Sequence, residues 1–523
     1  MHYGERLNVS VAEIVTEETM ASTEFRPVEQ GPSPLLSEEY SRRALPQVMN
    51  TFAMTALFIL VLFFITNIPT AVVGGPAGLT LWIVGGVCFF LPCALASAQL
   101  GALYPNEGGI YSWTYHIMGS AWSFFVGLIA WLPGPLLIVA TGDLFVGYIQ
   151  NLNSNWLVAP WQQGLVLIGV IAFSGVLCLQ RTAALKTIIN VIAVLILCAA
   201  LLIVIGACVW LTKHPSATNF THLPDWNPFT SQNFPLFGVI TLGYLGVNLP
   251  LNLAGEATAN TADNKRKMVT SHLLWGTCIV LVAYLAVTAA VLIVQGQNGA
   301  NNLFAMVSTV DMTLGKFMGN ITSVCIMATF VVTTTVYNVI FVRFLMVAGF
   351  DQRVTSAPGK LNRNRAPSRA VIIQTAIAII LSAILFLVIP YLGIYKGKPA
   401  DISTIDYFIA VGTGTLLWAF ATIFLFMNVF ILYFRKRPLL QAHRVVPLPV
   451  LMFFCVVGFI TGIIAMVDTL FNSYIPPLIT NSSWTLFVGL FTLILIIMSV
   501  IATPLLTSES SWETSLLERD TQL

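Results

Sequence analysis

Few residues in this chain are of types that carry chemistry, and those few sit in unusual places. The apolar stretch LGYLGVNLPLNLAGEATANTADNKRKM, Leu242 to Met268, holds Gly243, Gly246, Asn248, Pro250 and Asn252 within ten residues, with Tyr244 between the first two glycines. Pro250 removes a backbone donor and crowds the turn before it, so a helix here is weak. Two readings stand. One is a kinked helix packed through small residues; the other is a discontinuous helix whose ends present peptide dipoles to a polar solute at mid-membrane. Two acids, Asp143 in VATGDLFVGYI and Glu256 in the middle of the quoted stretch, border or enter apolar runs, where an ionisable group is costly. Asp143 suits an outer vestibule or simple interfacial solvation. Glu256 suits an inner gate, coupling or a structural ion pair.

Constellations for catalysis are missing. The sequence has no phosphate-binding GxxxxGK[ST] loop, no HExxH and no Cys/His cluster with metal spacing. The six histidines (His2, His116, His214, His222, His272 and His443) fall in tails, loops or ends of apolar runs. The reading is therefore not an enzyme, with no cofactor and no metal site. All eight cysteines lie inside apolar runs, so they read as small buried residues and not as a disulfide framework.

The elements that must position the polar residues are long apolar helices. Of 523 residues 57% are hydrophobic and 9% charged, far below the roughly 25% charged of a soluble domain; mean hydropathy is +0.84. Runs of about 20 residues, enough to cross a bilayer core, occur at 49–70, 78–103, 117–150, 163–180, 187–212, 234–257, 270–295, 318–347, 370–391, 405–434, 447–470 and 484–506. The fold class is an all-α polytopic membrane protein with twelve spans. It divides into a polar N-terminal tail 1–48, a twelve-helix membrane domain 49–506 and a polar C-terminal tail 507–523. With the N-terminus inside, twenty of the 24 Lys and Arg residues fall in inner segments, leaving Lys213, Lys316, Lys396 and Lys398 outside. That bias predicts cytoplasmic termini, and it makes the basic runs topology signals, with no nucleic-acid partner; the expected setting is the cell (plasma) membrane. The sequons at Asn219, Asn320 and Asn481 lie at or beyond outer helix ends. A carrier of two six-helix halves would place its long inner loop after span six. Here the long inner loop follows span eight, and no basic GxxxDR loop follows span two.

Span one carries a second weak point, Thr66, Asn67 and Pro69 followed by Gly74, Gly75 and Pro76. Breakers in spans one and six, five helices apart, are the pattern of a 5+5 inverted repeat with discontinuous helices. Here a resemblance enters. AQLGALYPNEGGIYSW, from Ala98, resembles the A-E-L-G-x-x-x-P-x-x-G-G-x-Y-x-W signature of the amino acid–polyamine–organocation superfamily. Tyr104, Pro105, Gly108, Gly109, Tyr111 and Trp113 match it, with Gln99 in place of the usual Glu. Glu256 and the run Asn264-Lys265-Arg266 resemble the family's exit from helix six, and Arg343, Asp351 and Pro358 its exit from helix eight. The similarity covers spans one through about nine.

The resemblance implies a leucine-transporter-like fold and a secondary transporter for an amino acid or small amine. It also implies a site between helices one and six, lined by three, eight and ten. By position the substrate-binding candidates are Tyr244, Gly246 and Asn248 on span six, Thr333, Thr334, Tyr337 and Asn338 on span eight (with Thr335 between them), and Thr413 on span ten between Gly412 and Gly414. Threonines inside a helix also bond back to its own carbonyls, so both roles remain open for them. Asp143 and Glu256 are the gating or coupling candidates. Two departures from the family matter. Its G-S-G-like break in helix one falls here on Leu62, Phe63 and Phe64, bulky residues that disfavour carboxylate capture by open amides. The Lys that some proton-coupled members carry midway along helix five is absent, only Lys186 standing at the inner end. Obligate exchange, as in the glutamate/γ-aminobutyrate antiporters, a non-transporting sensor of the same fold and a channel are the alternatives. The expected partners are the substrate, the lipid bilayer, and a coupling proton or counter-substrate.

Overall fold

The computed structural model describes residues 35–153, 155–259, 261–392 and 398–522, so most of the N-terminal tail and Lys396 lie outside the described residues. Among those described there is no β-strand. The helices are α1 Leu36–Ala44, α2 Thr51–Leu62, α3 Asn67–Val73, α4 Pro76–Leu103, α5 Ile110–Met118, α6 Ser120–Leu152, α7 Pro160–Cys178, α8 Thr182–Leu211 and α9 Phe237–Leu242. They continue with α10 Ala262–Gln295, α11 Ala305–Leu314, α12 Lys316–Phe350, α13 Ser368–Tyr391, α14 Pro399–Arg435, α15 Arg437–Ala442, α16 Leu448–Phe471 and α17 Asn481–Gln522.

Among the described residues ten helices are long and apolar enough to cross a membrane, and the bent pair α2–α3 makes eleven if it forms one span. The expected sixth span, 234–257, is not one helix. It is α9, a run of turns over 243–248 and a 3-10 stretch Leu249–Glu256. Outward faces of α7, α8, α13, α16 and α17 carry exposed Phe173, Leu201, Ile372, Phe453 and Leu486. Apolar residues facing outward from helices that satisfy their own backbone are what a bilayer requires. The chain is a multi-pass membrane protein.

Local chemistry sets the boundaries. Asn50 caps α2 by accepting from the Ala53 N–H at 2.9 Å, and Thr261 caps α10 through the Asn264 N–H. Pro160 and Pro399 occupy the first turns of α7 and α14, where no donor is lost. The helix α12 is the centre of the bundle: it packs against α2, the 3-10 stretch, α6, α7 and α8, and 24 of its residues are buried. One end of the bundle gathers the basic loops. There Ser37 meets Asp351, Lys436 meets the His116 carbonyl, and Arg266 meets the carbonyls of His443 and Arg444. We call this the basic end.

Candidate functional site

The first span breaks over residues 63–66, between α2 and α3, and bends by 52°. This is where the bulky Leu62-Phe63-Phe64 run lies, so side-chain size did not keep the helix continuous. Its Phe64 N–H donates to the Leu62 carbonyl at 3.0 Å, and hydroxyls from elsewhere add to the pairing. Tyr284 on α10 donates to the Leu62 carbonyl at 2.7 Å, and its oxygen accepts from the Phe64 N–H at 2.9 Å and lies 3.3 Å from Asn67 Nδ2. Tyr337 on α12 donates to the Val61 carbonyl at 2.9 Å, and Thr333 to the Leu60 carbonyl at 3.4 Å. An unpaired buried carbonyl or amide would cost about 1–3 kcal/mol, so these hydroxyls hold the break open at modest expense.

The sixth segment breaks opposite. Gly246 has φ +105°, a conformation that residues with a Cβ rarely adopt. A Cβ there would lie 2.7 Å from Trp418 on α14 and 3.0 Å from Val61 on α2. Both the twist and the closeness of three elements demand glycine. Asn248, buried at the next bend, lines a crevice with Tyr111, Trp131, Asn252, Phe341 and Trp418.

The structure brings Gly246, Asn248, Thr333 and Tyr337 to these two breaks, together with Trp418, which packs edge-on to Tyr337 and Phe341. Other candidates point elsewhere. The Tyr244 ring is stacked on Phe90 with centroids 4.4 Å apart, and its hydroxyl donates to the Trp82 carbonyl. Thr334 bonds Thr141 on α6 at 2.8 Å and back-bonds to the Phe330 carbonyl. Asn338 belongs to a buried amide network on α13, donating to Thr375 and accepting from Gln374, which in turn accepts from Trp131. Thr413 is buried with a hydroxyl that has no hydrogen-bond partner. Asp143 is half-buried on α6, one turn after Ala140, whose carbonyl accepts from Tyr407.

Toward the basic end, Glu256 lies in a buried charge cluster. Arg343 Nη2 donates to Glu256 Oε1 at 2.5 Å, and Arg343 Nη1 lies 3.3 Å from Glu107 Oε1. Glu107 Oε2 accepts from the Gly255 N–H at 2.8 Å. The Gly108-Gly109 pair of the signature makes this packing possible. Gly108 N–H donates to the Asn252 carbonyl, and a Cβ on Gly109, whose φ is +48°, would strike Asn252 Oδ1 at 2.1 Å. Nearby, α1 is strapped across this end. Ser37 gives its N–H and hydroxyl to Asp351, which also accepts from Tyr111. Glu38 contacts His116 Nε2 at 2.6 Å and accepts from Ser112. Burial pushes Asp351 up to about 6 against those donors. Burial acts the same way on Glu38, but contact with His116 and the bond from Ser112 hold its carboxyl below the ordinary value.

Sequence reasoning missed Tyr284, Trp418, Glu107 and the partnership of Arg343. A usable signal existed for the last two. An arginine inside an apolar helix needs a carboxylate, and Glu107 is an acid placed directly before the Gly-Gly motif. Tyr284 and Trp418 gave no such sign, because an aromatic residue in an apolar span is ordinary.

The amino acid permease family matches residues 48–501. Among curated proteins, the chain is 26% identical over 240 residues to an uncharacterized transporter of Legionella pneumophila, covering 44% of this chain and 50% of that one. It is 23% identical over 308 residues to the inner membrane transporter YjeM of Escherichia coli, 53% of this chain and 59% of that one. With the glutamate/serine transporter AimA of Bacillus subtilis it shares 29% identity over 238 residues, 42% of each. The chain thus spans about half the length of the curated relatives it matches.

Proposed function

Because the chain belongs to the amino acid permease family, within the amino acid–polyamine–organocation superfamily, we propose that it carries an amino acid or related small amine across the bilayer by alternating access. The observation that carries this reading is the pair of facing breaks, at 63–66 and 243–248, that meet where Gly246 touches Val61 and Trp418. Two interrupted helices at one depth offer peptide groups to a polar solute and a joint at which half-helices can move. In this reading they belong to a twelve-span 5+5 repeat with the basic end in the cytoplasm, as the Lys and Arg distribution favours. The substrate lies between the breaks and the Tyr337 and Trp418 side chains, with Asn248 at the exit to the crevice.

Relatives are named for glutamate and serine and, over a shorter match, for polyamines. Among the described residues that meet at the breaks, Asn248, Thr333, Tyr337 and Trp418 are all uncharged. That favours a zwitterion over a polycation, which would need carboxylates. A second reading, obligate exchange, is favoured by the uncharged middle of α8, where Lys186 stands only in the first turns.

The test is uptake of pooled labelled amino acids and polyamines into proteoliposomes, empty or preloaded with the unlabelled pool. Uptake into empty vesicles supports net transport; uptake only after preloading supports exchange. No flux in either, with folding verified, rejects transport and leaves a sensor.

A further inference from the structure

The Glu107–Arg343–Glu256 cluster holds two carboxylates against one guanidinium. Both carboxylate side chains are fully buried and that of Arg343 is 4% exposed. Its hydrogen bonding is incomplete: Glu107 Oε1, Glu256 Oε2 and Arg343 Nε have no hydrogen-bond partner. The other titratable groups that bear on it are few. Lys265, in the first turn of α10, attracts Glu107 through space, and the Cys178 thiol of α7 faces Arg343. Lys265 is half-buried, so water screens much of its charge. If both carboxyls were ionised, the buried site would carry a negative charge and orphaned acceptors. Two acids sharing one site keep a proton between them.

The cluster also sits at a joint. Glu256 ends the sixth segment, and its carbonyl accepts from the Met49 N–H at 2.9 Å, while Thr258 N–H donates to the Met49 carbonyl at 2.9 Å. Glu107 comes from the loop between α4 and α5, and Arg343 from α12. Four pieces of chain therefore meet on three charged side chains. Any opening at the basic end that moves the first and sixth segments away from α12 must pull Glu256 off Arg343 and the Gly255 N–H off Glu107, and admit water.

We infer that Glu107 and Glu256 hold one proton between them, and that this proton latches the basic end closed. Opening releases it: the carboxyl O–H gives its proton to water and becomes a hydrated carboxylate. Closing takes a proton back from the same side. Low pH on that side favours the closed gate and high pH the open one. Burial, with the charge of Glu256 and against that of Arg343, pushes Glu107 well above the range of a hydrated glutamate, which titrates near 4.3. A latch of this kind titrates across the range found on the inner side of a cell. The inference about turnover rests on the transport reading; the proton itself does not.

Two measurements on the full purified chain separate these. Infrared titration in lipid nanodiscs reads the carboxylic-acid C=O stretch directly. We expect a band in the wild type that fades between about pH 7 and 9, and its loss in both Glu107→Gln and Glu256→Gln. Absence of the band, or its survival in both variants, overturns the shared proton and makes the cluster a plain ion network with Lys265. In proteoliposomes, exchange should rise several-fold as pH on the basic side goes from 6 to 9, with no such rise when only the other side is changed. Glu107→Gln should stay flat at the wild-type pH 6 rate. A variant that keeps the pH step overturns the latch. A titrating band with no flux of any pooled substrate overturns the transport reading and leaves the proton site standing.

Discussion

Replacing Gly246 by alanine tests the geometry of the paired breaks. The added methyl would meet the Trp418 ring at 2.7 and 2.9 Å and Val61 at 3.0 Å. Trp418 is 6% exposed and wedged between Tyr337 and Phe341, so it cannot swing aside freely. Overpacking of this kind costs about 1–3 kcal/mol, and forcing a Cβ residue into left-handed backbone adds roughly 1–2 kcal/mol. The sum is about 2–5 kcal/mol against this packed arrangement. Even the lower bound shifts a two-state population by about 30-fold. The assays are thermal unfolding of purified protein and uptake kinetics, on Gly246→Ala, Trp418→Phe and the double variant. The smaller ring lacks the atoms in collision, so the double variant should recover the steric share, about 1–3 kcal/mol, and keep the backbone share. A Gly246→Ala protein with wild-type unfolding and uptake refutes the reasoning. So does a double variant no better than the single, since Trp418 would then not be the obstacle.

Tyr284→Phe removes the hydroxyl that serves Leu62 and Phe64 at the first break. The Phe64 N–H and the Leu62 carbonyl keep their bond to each other at 3.0 Å, so the loss is one further hydrogen bond, about 0.5–1.5 kcal/mol, read as a slightly lowered unfolding midpoint with uptake impaired; an unchanged midpoint would mean that the bond between those two groups suffices. Arg343→Met leaves Glu107 and Glu256 without their cation, and breaking a buried pair in this way costs roughly 3–5 kcal/mol. Adding Glu107→Gln to it should restore part of that loss in the same melt, and no restoration would deny the mutual repulsion. Asp351 has its value raised to about 6, so the packed state binds a proton more tightly than the unfolded chain between about pH 4 and pH 6. Its contribution to stability is full at the lower pH and lost as pH rises through about 6. Asp351→Asn should flatten the fall of the unfolding midpoint over that window, and an unchanged slope would assign it to other groups.

Much of the fold could be read from the chain because lipid imposes one rule, long apolar helices. The predicted run 318–347 became Lys316–Phe350, and 447–470 became Leu448–Phe471. Both weak points were legible as well, through Pro250 with its glycines and through Thr66, Asn67 and Pro69. Which side chains turn toward those breaks was not. Thr333, Thr334, Tyr337 and Asn338 lie within six residues on one helix, yet a rotation of 100° per residue sends them to different neighbours. Thr333 and Tyr337, four apart, share the face toward α2, while Thr334 and Asn338 face α6 and α13. A list of polar residues cannot separate those faces without knowing where each neighbour stands. The cluster at the basic end was half visible. Glu256 and Arg343 were both noted, but their meeting depends on Gly108 and Gly109 bringing a loop onto the sixth segment.

The first break also bears on which end of a substrate it can hold. The carbonyls of Leu60, Val61 and Leu62 close α2 and form the negative pole of that half-helix. Each carbonyl carries two lone pairs, and the hydroxyls of Thr333, Tyr337 and Tyr284 supply one donor apiece. The Leu62 carbonyl also accepts from the Phe64 N–H, so capacity for a further donor remains on Leu60 and Val61, and a negative pole prefers a cation. On the far side of the break Phe63 is buried against Tyr284 and Phe64 packs on Phe330, so large side chains crowd the amides that would hold a carboxylate. On the transport reading proposed above, the substrate's ammonium group is therefore the anchor for this break. Competition against labelled substrate decides it. Analogues that keep the amine and lose the carboxylate should compete within about tenfold of the parent, since they lose only the weaker partner, about 1.4 kcal/mol. Keto acids that lose the amine should fail to compete at all. The opposite order would place the carboxylate at the first break and make the crowding of Phe63 and Phe64 irrelevant to recognition.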